Sequence, residues 1–408
     1  MQTALADFIR DTDSGKEANA ILRTCVHCGM CNATCPTYQL LGDELDGPRG
    51  RIYLIKQMLE GADVTRSTLL HLDRCLTCRN CETTCPSGVR YGQLLEIGRD
   101  LAEQKVSRPW TDRLARWVLR NIIPYPARFT PLLRIGQLFR PLMPPWLKRS
   151  VPPRRVADPW PATAHSRKML VLQGCVQPAI APNINAVTAR VLDRLGISLM
   201  VAPGAGCCGA ASHHTSGMED GLDFARRNID AWWPLIKSGA EAIVMTASGC
   251  GVHVKEYGHL LKDDPAYVAK ARKVSELTKD ISEILSQEDL SKLSSGAKFQ
   301  TKVAFHSPCT LQHGQKLNGV VEKILRGAGV VLVAVPDAHL CCGSAGTYSI
   351  LQKRLSQSLL ANKVASLESG GPDVIATANI GCLAHIQSGT TLPVRHWIEI
   401  LDKPASPH

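Results

Sequence analysis

The stretches CVHCGMCNATCP (residues 25–36) and CLTCRNCETTCP (residues 75–86) decide how the first part of the chain folds. Both follow the pattern C-x2-C-x2-C-x3-C-P, in which three cysteines share one tight loop and the fourth, followed by proline, leaves it. Such a loop lets three thiolates point at one metal centre while backbone amides turn towards it. Two copies of the whole pattern in one short segment predict two metal centres held by cysteine.

The same pattern occurs in bacterial ferredoxins, where it binds 4Fe-4S clusters and the fourth cysteine of each motif ligates the other cluster. This rule divides the eight cysteines into two crossed sets: cluster 1 with Cys25, Cys28, Cys31 and Cys85, and cluster 2 with Cys75, Cys78, Cys81 and Cys35. Paired zinc sites are the alternative, because four cysteines also bind zinc. Two copies of all eight positions favour the clusters. His27, inside the first motif, is expected to be a neighbour rather than a ligand.

The segment between the two motifs has helical composition. It reads RGRIYLIKQMLEG (residues 49–61) and contains no helix breaker before its last glycine, and residues 92–106 are typical of a closing helix. A helix between the motifs favours a helical ferredoxin-like domain over the compact hairpin ferredoxin. We predict this domain over residues 1–107.

The second half of the chain contains an internal repeat. Its first copy has Cys175, the pair Cys207 and Cys208 followed by Gly209, and Cys250; the second has Cys309, the pair Cys341 and Cys342 followed by Gly343, and Cys382. In both copies short apolar runs alternate with helix-length stretches, which predicts parallel βαβ units. We therefore expect two α/β domains, residues 166–290 and 300–402, which gives an α+β multidomain chain.

Each repeat places its cysteines just after predicted strands, where ligands collect in parallel sheets. Four thiols there could bind a further iron-sulfur cluster, bind zinc, or cycle between dithiol and disulfide. The candidate redox residues are Cys207, Cys208, Cys341 and Cys342. His253 and His385 each follow the last cysteine of a repeat by three residues, so either is a weaker candidate for a ligand or proton donor. Simple packing of buried cysteines is the alternative.

The composition is that of a soluble, thiol-rich protein. The chain has 408 residues, sixteen cysteines and a net charge of +11. We see neither a secretory signal nor an apolar run long enough to span a bilayer, and therefore expect a cytoplasmic location. In a reducing compartment these cysteines are expected to serve as metal ligands or redox groups.

The positive charge is concentrated in a connector, residues 108–165, where prolines such as those of PYPARFTP (124–131) predict breaks between short helical pieces. At helical spacing, Trp110, Leu114 and Trp117 share one face and Arg113, Arg116 and Arg120 another. Such a helix suits the anionic inner face of the cell membrane. A helix packed between domains with solvated arginines is the equal alternative. Nucleic-acid binding through the connector stays open as a third reading, but nucleic acid is not expected as a partner because no nucleic-acid module accompanies the charge.

Five stretches resemble the family of iron-sulfur subunits of bacterial glycolate oxidase. They are DELDGPRGRIYLIK (43–56), NIDAWWP (228–234), TLQHGQKLNG (310–319), CCGSAGTY (341–348) and VRHWIEI (394–400). The resemblance implies a complex with flavin-containing dehydrogenase subunits that oxidises glycolate to glyoxylate. Electrons would leave through this chain to a membrane acceptor such as quinone, and the chain alone would not oxidise the substrate.

Two related readings stay open. One is the iron-sulfur subunit of a lactate or glycerol-3-phosphate dehydrogenase. The other is an enzyme similar to heterodisulfide reductase that itself uses the cysteines of the two Cys-Cys-Gly (CCG) repeats. The catalytic subunit of heterodisulfide reductase has a fifth cysteine where this chain has His253 and His385, so the resemblance does not extend to its non-cubane clusters.

Overall fold

The computed structural model describes residues 1–144, 148, 151–293 and 301–402. The chain forms two compact units. Unit 1 contains Met1–Trp117 and His339–Leu359, and unit 2 contains Val118–Ala338 and Leu360–His408. No described helix is both long and apolar enough to cross a membrane.

The first part of the chain is helical, as the cysteine spacing predicts. Its helices are α1 (Asp7–Arg10), α2 (Asp13–Thr24), α3 (Pro36–Leu41), α4 (Pro48–Leu59), α5 (Arg66–Asp73), α6 (Asn80–Thr84), α7 (Tyr91–Lys105), α8 (Trp110–Ile122) and α9 (Pro126–Phe139). Turns of 3-10 helix occupy Met30–Asn32, Glu44–Asp46 and Arg140–Leu142.

Helices α2, α4 and α7 enclose the core of unit 1. In α4, Ile52, Ile55 and Leu59 recur at helical spacing and are buried, which is the pattern of a helix with one apolar face. Leu22 of α2 and Leu94 of α7 are fully buried in the same cluster. Since α4 lies between the two cysteine motifs in sequence, its packing fixes both loops on one core.

The PYPARFTP stretch breaks the helix once and not twice: α8 ends at Ile122 before α9, as the prolines predict, but Pro131 causes no break. Helix α9 begins at Pro126 and continues through Pro131 to Phe139. Proline fits the first turn of a helix because the N–H that it lacks has no partner there. Pro131 is exposed, so water can reach the carbonyl group that its missing N–H leaves without a donor.

The first repeat forms a parallel four-stranded sheet in the order β2-β1-β3-β4. Its strands are β1 (Arg167–Val171), β2 (Ile197–Val201), β3 (Ile243–Met245) and β4 (Thr278–Asp280). Its helices are α10 (Gln177–Ile180), α11 (Asn183–Arg194), α12 (Ala210–His213), α13 (Met218–Lys237), α14 (Ser248–Lys255), α15 (Tyr257–Leu260), α16 (Val268–Leu277) and α17 (Ile281–Leu285), with a 3-10 turn at Leu290–Leu293.

The second repeat forms the same sheet again, in the order β6-β5-β7-β8 and with parallel pairing throughout. Its strands are β5 (Lys302–His306), β6 (Val331–Val333), β7 (Val374–Thr377) and β8 (Val394–His396). Its helices are α18 (Val320–Gly327), α19 (Tyr348–Leu351), α20 (Lys353–Glu368), α21 (Ile380–Gly389) and α22 (Ile398–Leu401), and a π-helical turn covers Thr310–Gly314. The predicted fold class, a helical domain followed by two parallel α/β repeats, is confirmed.

The strand order places a topological switch point between the first and third strands of each sheet. The chain leaves β1 towards β2 on one side and then enters β3 on the other side. Loops after such strands diverge and open a crevice. Cys175 follows β1, and Cys250 lies in α14 directly after β3. The two cysteines therefore flank the crevice of the first sheet, and Cys309 and Cys382 occupy the matching positions after β5 and β7.

Inside unit 2 the two repeats meet where β3 and β7 end. The N–H of Ser248 donates to the carbonyl of Ala378 (3.1 Å), and the N–H of Gly249 donates to Oδ1 of Asn379 (3.3 Å). Gln315 Nε2 donates to the carbonyl of Ser248 (3.1 Å). These bonds join the segments that lead into Cys250 and Cys382.

Candidate iron-sulfur and thiol sites

Two cavities in unit 1 divide the N-terminal cysteines into two groups. The first has an empty volume of ≈ 440 Å³, part of it open to solvent, and its lining includes Cys25, Cys28, Cys31 and Cys85. The second measures ≈ 300 Å³ and is lined by Cys35, Cys75, Cys78 and Cys81. Cys81 also reaches the first cavity. In each cavity the fourth cysteine comes from the other motif, which is the grouping that crossed ligation requires.

The backbone of both loops is bent in the same way. His27 and Gly29 have positive φ angles in the first motif, and Thr77 and Arg79 have them at the same two positions of the second. Non-glycine residues rarely adopt this conformation, and it costs about 1–3 kcal/mol at each one. Alternating left-handed residues turn backbone N–H groups towards a common anion. The repeated strain is therefore consistent with loops shaped around an anionic cluster.

The donor set of these cavities fits a metal group. Burial raises the pKa of the Cys31 thiol to about 11 and that of Cys81 well above its ordinary value. Buried thiols of this kind stay protonated unless a cation compensates the charge of the thiolate. A cluster iron supplies that compensation, and metal binding then releases the protons. Four sulfur donors around each cavity suit a 4Fe-4S cluster.

A fully buried arginine lies at the second cavity. Arg51 lines it, and its Nη2 lies 3.4 Å from Oδ1 of the buried Asp46. Burial alone would lower the pKa of Arg51, but the nearby acidic groups, among them the carboxylate of Asp46, raise it above the ordinary value. The guanidinium therefore remains charged in the core.

Asp46 contacts three basic side chains, one of which is Arg51. Its carboxylate accepts from Arg74 Nη1 (2.7 Å) and contacts His71 Nδ1 (3.0 Å). Arg51 Nε donates to the carbonyl of His71 (2.7 Å). Sequence reasoning missed this network: Arg51 and Asp46 belong to the stretch quoted for the resemblance, but their spacing gave no sign that both are buried beside the cysteines.

Tyr91 is a second contact that the sequence did not reveal. It lines both cavities, and its hydroxyl donates to Cys75 Sγ at 3.6 Å. The residue opens helix α7 and is buried. A hydroxyl directed at a ligand sulfur is one of the means by which a protein tunes a cluster's potential.

The four cysteines of the first repeat are brought together in unit 2. The thiols of Cys175, Cys207, Cys208 and Cys250 lie close enough together for the pKa values of the first three to depend on their neighbours. The neighbouring thiols of Cys175 and Cys208, and the N–H of Gly209 that donates to Cys207 Sγ (3.4 Å), hold the pKa of Cys207 well below its ordinary value. The set thus contains one favoured thiolate. No disulfide joins any of the described cysteines.

The CCG turn of the first repeat requires its glycine. Gly209 has φ +94°, and a Cβ there would lie 2.6 Å from the carbonyl oxygen of Gly221. Two side chains hold the cysteine carbonyls: Asn228 Nδ2 donates to Cys207 (2.8 Å), and the Tyr257 hydroxyl donates to Cys208 (2.7 Å). These contacts give a physical role to Asn228, the first residue of the NIDAWWP stretch.

His253 is buried among aromatic rings. Its ring centroid lies 5.4 Å from that of His213, 5.9 Å from that of His214 and 5.9 Å from that of Tyr257. Burial lowers the pKa of His213. The spacing of His253 from Cys250 on α14 is as predicted, but its role as a ligand remains a prediction, and so does that of the buried His385 on α21.

The CCG turn of the second repeat belongs to unit 1. Cys341 and Cys342 are buried, and the N–H of Gly343 donates to Cys341 Sγ at 3.4 Å. The segment packs on the second cysteine motif: Asn80 Nδ2 donates to the carbonyl of His339 (3.3 Å), and the Tyr348 hydroxyl donates to that of Arg74 (3.2 Å). Burial, then the charges of Cys75 and Cys341, raise the pKa of Tyr348.

Cys309 and Cys382 of the same repeat lie in unit 2, and both are buried. Cys309 precedes the π-helical turn, and Cys382 lies in the first turn of α21. Short π-helical segments are frequent at functional sites. The four-cysteine set of the second repeat remains a prediction from the sequence.

The connector helix α8 buries one of the three arginines of its predicted polar face. Arg116 is buried and its Nη2 lies 3.0 Å from Asp73 Oδ2, so this arginine is not solvated. Arg108 makes a second ion pair with Asp73 (2.6 Å). The apolar face is the exposed one, with Trp110 73% and Trp117 56% exposed.

The fold and its cysteine sites define the chain as an iron-sulfur electron-transfer subunit. A family model described as "4Fe-4S dicluster domain" matches residues 21–89, and one described as "Cysteine-rich domain" matches residues 169–255 and 303–387. The chain is 58% identical to the glycolate oxidase iron-sulfur subunit of Escherichia coli over 99% of both chains. It therefore belongs to the family of glycolate oxidase iron-sulfur subunits.

Other relatives are more distant. A probable glycolate oxidase iron-sulfur subunit of Bacillus subtilis is 30% identical over 94% of this chain and 91% of its own. Lactate utilization protein A of Bacillus licheniformis is 30% identical over 56% of this chain and 96% of its own. A solved structure of a hypothetical protein from Helicobacter pylori has a TM-score of 0.56 at 10% identity, covering 96% of this chain and 72% of that one. This last likeness concerns the fold alone.

Crossed ligation predicts that Cys35→Ala damages the same cluster as Cys78→Ala. Cys35 and Cys78 line only the second of the two cavities, whereas Cys28 lines only the first. We expect each substitution to remove most of one cluster's signal while the other cluster persists. Anaerobic purification, iron analysis and electron paramagnetic resonance (EPR) of the reduced chain measure this. Cys28→Ala, in the same motif as Cys35, is the matched control, and a Cys35→Ala spectrum that resembles that of Cys28→Ala would contradict the crossing.

Proposed function

We propose that the chain is the electron-transfer subunit of a complex that oxidises glycolate, and that it passes electrons from a flavin-containing partner to a membrane acceptor such as quinone. The observation that carries the proposal is the pair of cavities, each lined by four cysteines, in a chain 58% identical to a glycolate oxidase iron-sulfur subunit. The eight N-terminal cysteines are the proposed ligands of two 4Fe-4S clusters, which supply reversible one-electron redox chemistry when bound.

The chain's own residues adapt the second cavity to this charge. A cluster with four thiolates is anionic, and every electron that it takes adds one more negative charge. Arg51 places a permanent positive charge at the cavity wall, and in a medium of low dielectric constant this contact is stronger than in water. Tyr91 adds a hydrogen bond to Cys75. Both residues favour the reduced state.

An outward route towards the second CCG turn is supported by the packing inside unit 1. The second cysteine motif and the residues around Cys341 are joined by the bonds of Asn80 and Tyr348. Tyr348 lies close enough to both Cys75 and Cys341 for a charge on either cysteine to raise its pKa. We propose that electrons leave the second cluster in this direction. The CCG domains would hold either a further iron-sulfur cluster or zinc.

Substrate chemistry is assigned to the partner subunits. We expect the isolated, cluster-loaded chain to leave an artificial electron acceptor oxidised when glycolate is added, because the chain binds electron carriers and the partner binds flavin. Adding the flavin-containing subunits should give dye reduction. D-lactate, L-lactate and glycerol 3-phosphate in parallel assays separate the three dehydrogenase readings. Glycolate turnover by the isolated chain would contradict the division of labour.

Cys341 and Cys342 are predicted to be required for delivery to the acceptor. Changing both to Ser should leave the EPR signals of the N-terminal clusters and their reduction by the flavoprotein intact, since neither residue lines the two cavities. Reduction of quinone should fall by at least about tenfold, the effect of a barrier raised by about 1.4 kcal/mol.

The matched control for this double variant is Ser344→Ala, which alters a buried side chain of the same turn but keeps both sulfurs. Normal quinone reduction by a folded Cys341→Ser, Cys342→Ser protein would show that electrons leave from the N-terminal domain.

The exposed face of α8 is the proposed contact with the membrane. Trp110 and Trp117 present indole rings to solvent, and tryptophan favours the interface between lipid headgroups and acyl chains. Between Arg108 and Trp160 the chain has eleven Lys and Arg against two acids. Arg108 and Arg116 are paired with Asp73, and the charge of the others suits anionic lipid. The buried Arg116 fixes the helix with its apolar face outward.

Sedimentation with lipid vesicles tests this contact. We expect binding to vesicles rich in phosphatidylglycerol, weaker binding to pure phosphatidylcholine, and loss on changing Trp110 and Trp117 to Ser. Withdrawal of two indoles from the interface should weaken binding by about tenfold or more. Leu70→Ser, which changes an exposed apolar residue elsewhere in unit 1, should bind as the wild type does. Equal binding by the double tryptophan variant would refute the assignment.

A further inference from the structure

His306 is a buried histidine for which the electron-transfer function has given no role. It is the last residue of β5 and is 2% exposed. Within the described part of the chain, neither ring nitrogen has a hydrogen-bond partner. Leaving a buried polar group without a partner costs about 1–3 kcal/mol for each group. A structural histidine would normally have found a partner for at least one nitrogen.

The ring is close to a cysteine of the second CCG domain. A ring nitrogen of His306 and Sγ of Cys382 lie within 4.8 Å of each other. His306 is the last residue of β5, and Cys309 follows it by three residues. In a parallel sheet, the loops after neighbouring strands β5 and β7 open the crevice in which ligands bind. The imidazole therefore lies at the place where Cys309 and Cys382 are expected to hold a metal group.

The two repeats differ at this position. Leu172 stands three residues before Cys175, where the second repeat has His306 three residues before Cys309. Leu172 is buried in the apolar cluster of the first repeat. The fold thus accepts an apolar side chain there, and packing alone does not require a histidine.

The imidazole of His306 offers a nitrogen donor to a metal. Burial, then the charge of Lys363, lowers the pKa of His306 well below its ordinary value. A neutral imidazole has a lone pair on one nitrogen, which is the form that binds metals. Lys363 itself donates to the carbonyl of Asp337 (2.7 Å).

We propose that His306 is a nitrogen ligand of the metal group that Cys309 and Cys382 help to hold. The first CCG domain would then have a site with sulfur ligands, and the second a mixed site of cysteine and histidine. This inference rests on the proposed function only in requiring a metal group in the second CCG domain. Replacing a thiolate by a neutral imidazole raises the potential of an iron-sulfur centre. The mixed site would therefore be the stronger electron acceptor of the two.

The test uses the full chain, purified anaerobically with histidine labelled by ¹⁵N in the ring. Metal analysis first determines whether iron beyond the two N-terminal clusters, or zinc, is present. For iron, electron-nuclear double resonance should show a strongly coupled ¹⁵N nucleus. For zinc, X-ray absorption should show imidazole scattering with a nitrogen at about 2.0 Å.

The variant His306→Leu, which copies the first repeat, should lose the nitrogen signal and keep the signals of the N-terminal clusters. His306→Cys should keep the metal but lose the nitrogen signal, which preserves the test if the leucine variant fails to fold. His396→Gln is the matched control, because His396 is also fully buried in this sheet but its Nδ1 accepts from the N–H of Ile398 (3.3 Å). This control should keep the signal.

Three results would overturn the proposal: no metal beyond the two N-terminal clusters, no coordinated nitrogen in the wild-type chain, or a nitrogen signal that survives in His306→Cys. None of them affects the proposed function, which is measured separately by the N-terminal cluster signals and by dye reduction with the flavin-containing subunits. Failure of those two measurements with the nitrogen signal intact would overturn the function and leave the ligand assignment standing.

Discussion

The buried contact between Arg51 and Asp46 is the constraint on which the iron-sulfur region depends. Both side chains are excluded from water, and removing one partner from such a pair costs about 3–5 kcal/mol because an unpaired charge stays behind in the core. Arg51 comes from α4, and Asp46 from the turn before it. Through Arg74 and His71 the same network reaches the loop that begins the second motif. The network therefore couples the position of α4 to the charge at the wall of the second cavity.

The second region depends on strand order instead of buried charge. Short apolar strands in parallel pairing place their following loops at one edge, and the repeat supplies cysteines in those loops twice. The thiol contacts among Cys175, Cys207 and Cys208 follow from this topology. The glycine of each CCG turn is then fixed by close approach of the backbone, as the short distance from a Cβ at Gly209 to Gly221 shows.

The sequence predicted those parts of the structure that depend on local pattern or repetition. Motif spacing predicted the helical first domain, and alternating apolar runs predicted the two parallel sheets. The edge strands β4 and β8 have three residues each, which is too short for a periodic signal. Arg51 and Arg116 were not predicted to be buried, because burial of a charge depends on a partner distant in space. Asp73, the partner of Arg116, lies 43 positions away.

The orientation of α8 shows how ion pairs between residues distant in sequence can decide which face of a helix is buried. The arginines and tryptophans occupy different faces of the predicted helix, and an amphipathic helix usually buries its apolar face. Asp73 instead pairs with Arg108 and Arg116, and all three side chains are largely buried. Once these charges are paired inside, the indoles of Trp110 and Trp117 must face outward. Isolated in water, this arrangement would be unfavourable, since it exposes the apolar side. It becomes favourable when another apolar surface covers that side, and the proposed contact with the membrane would meet this condition.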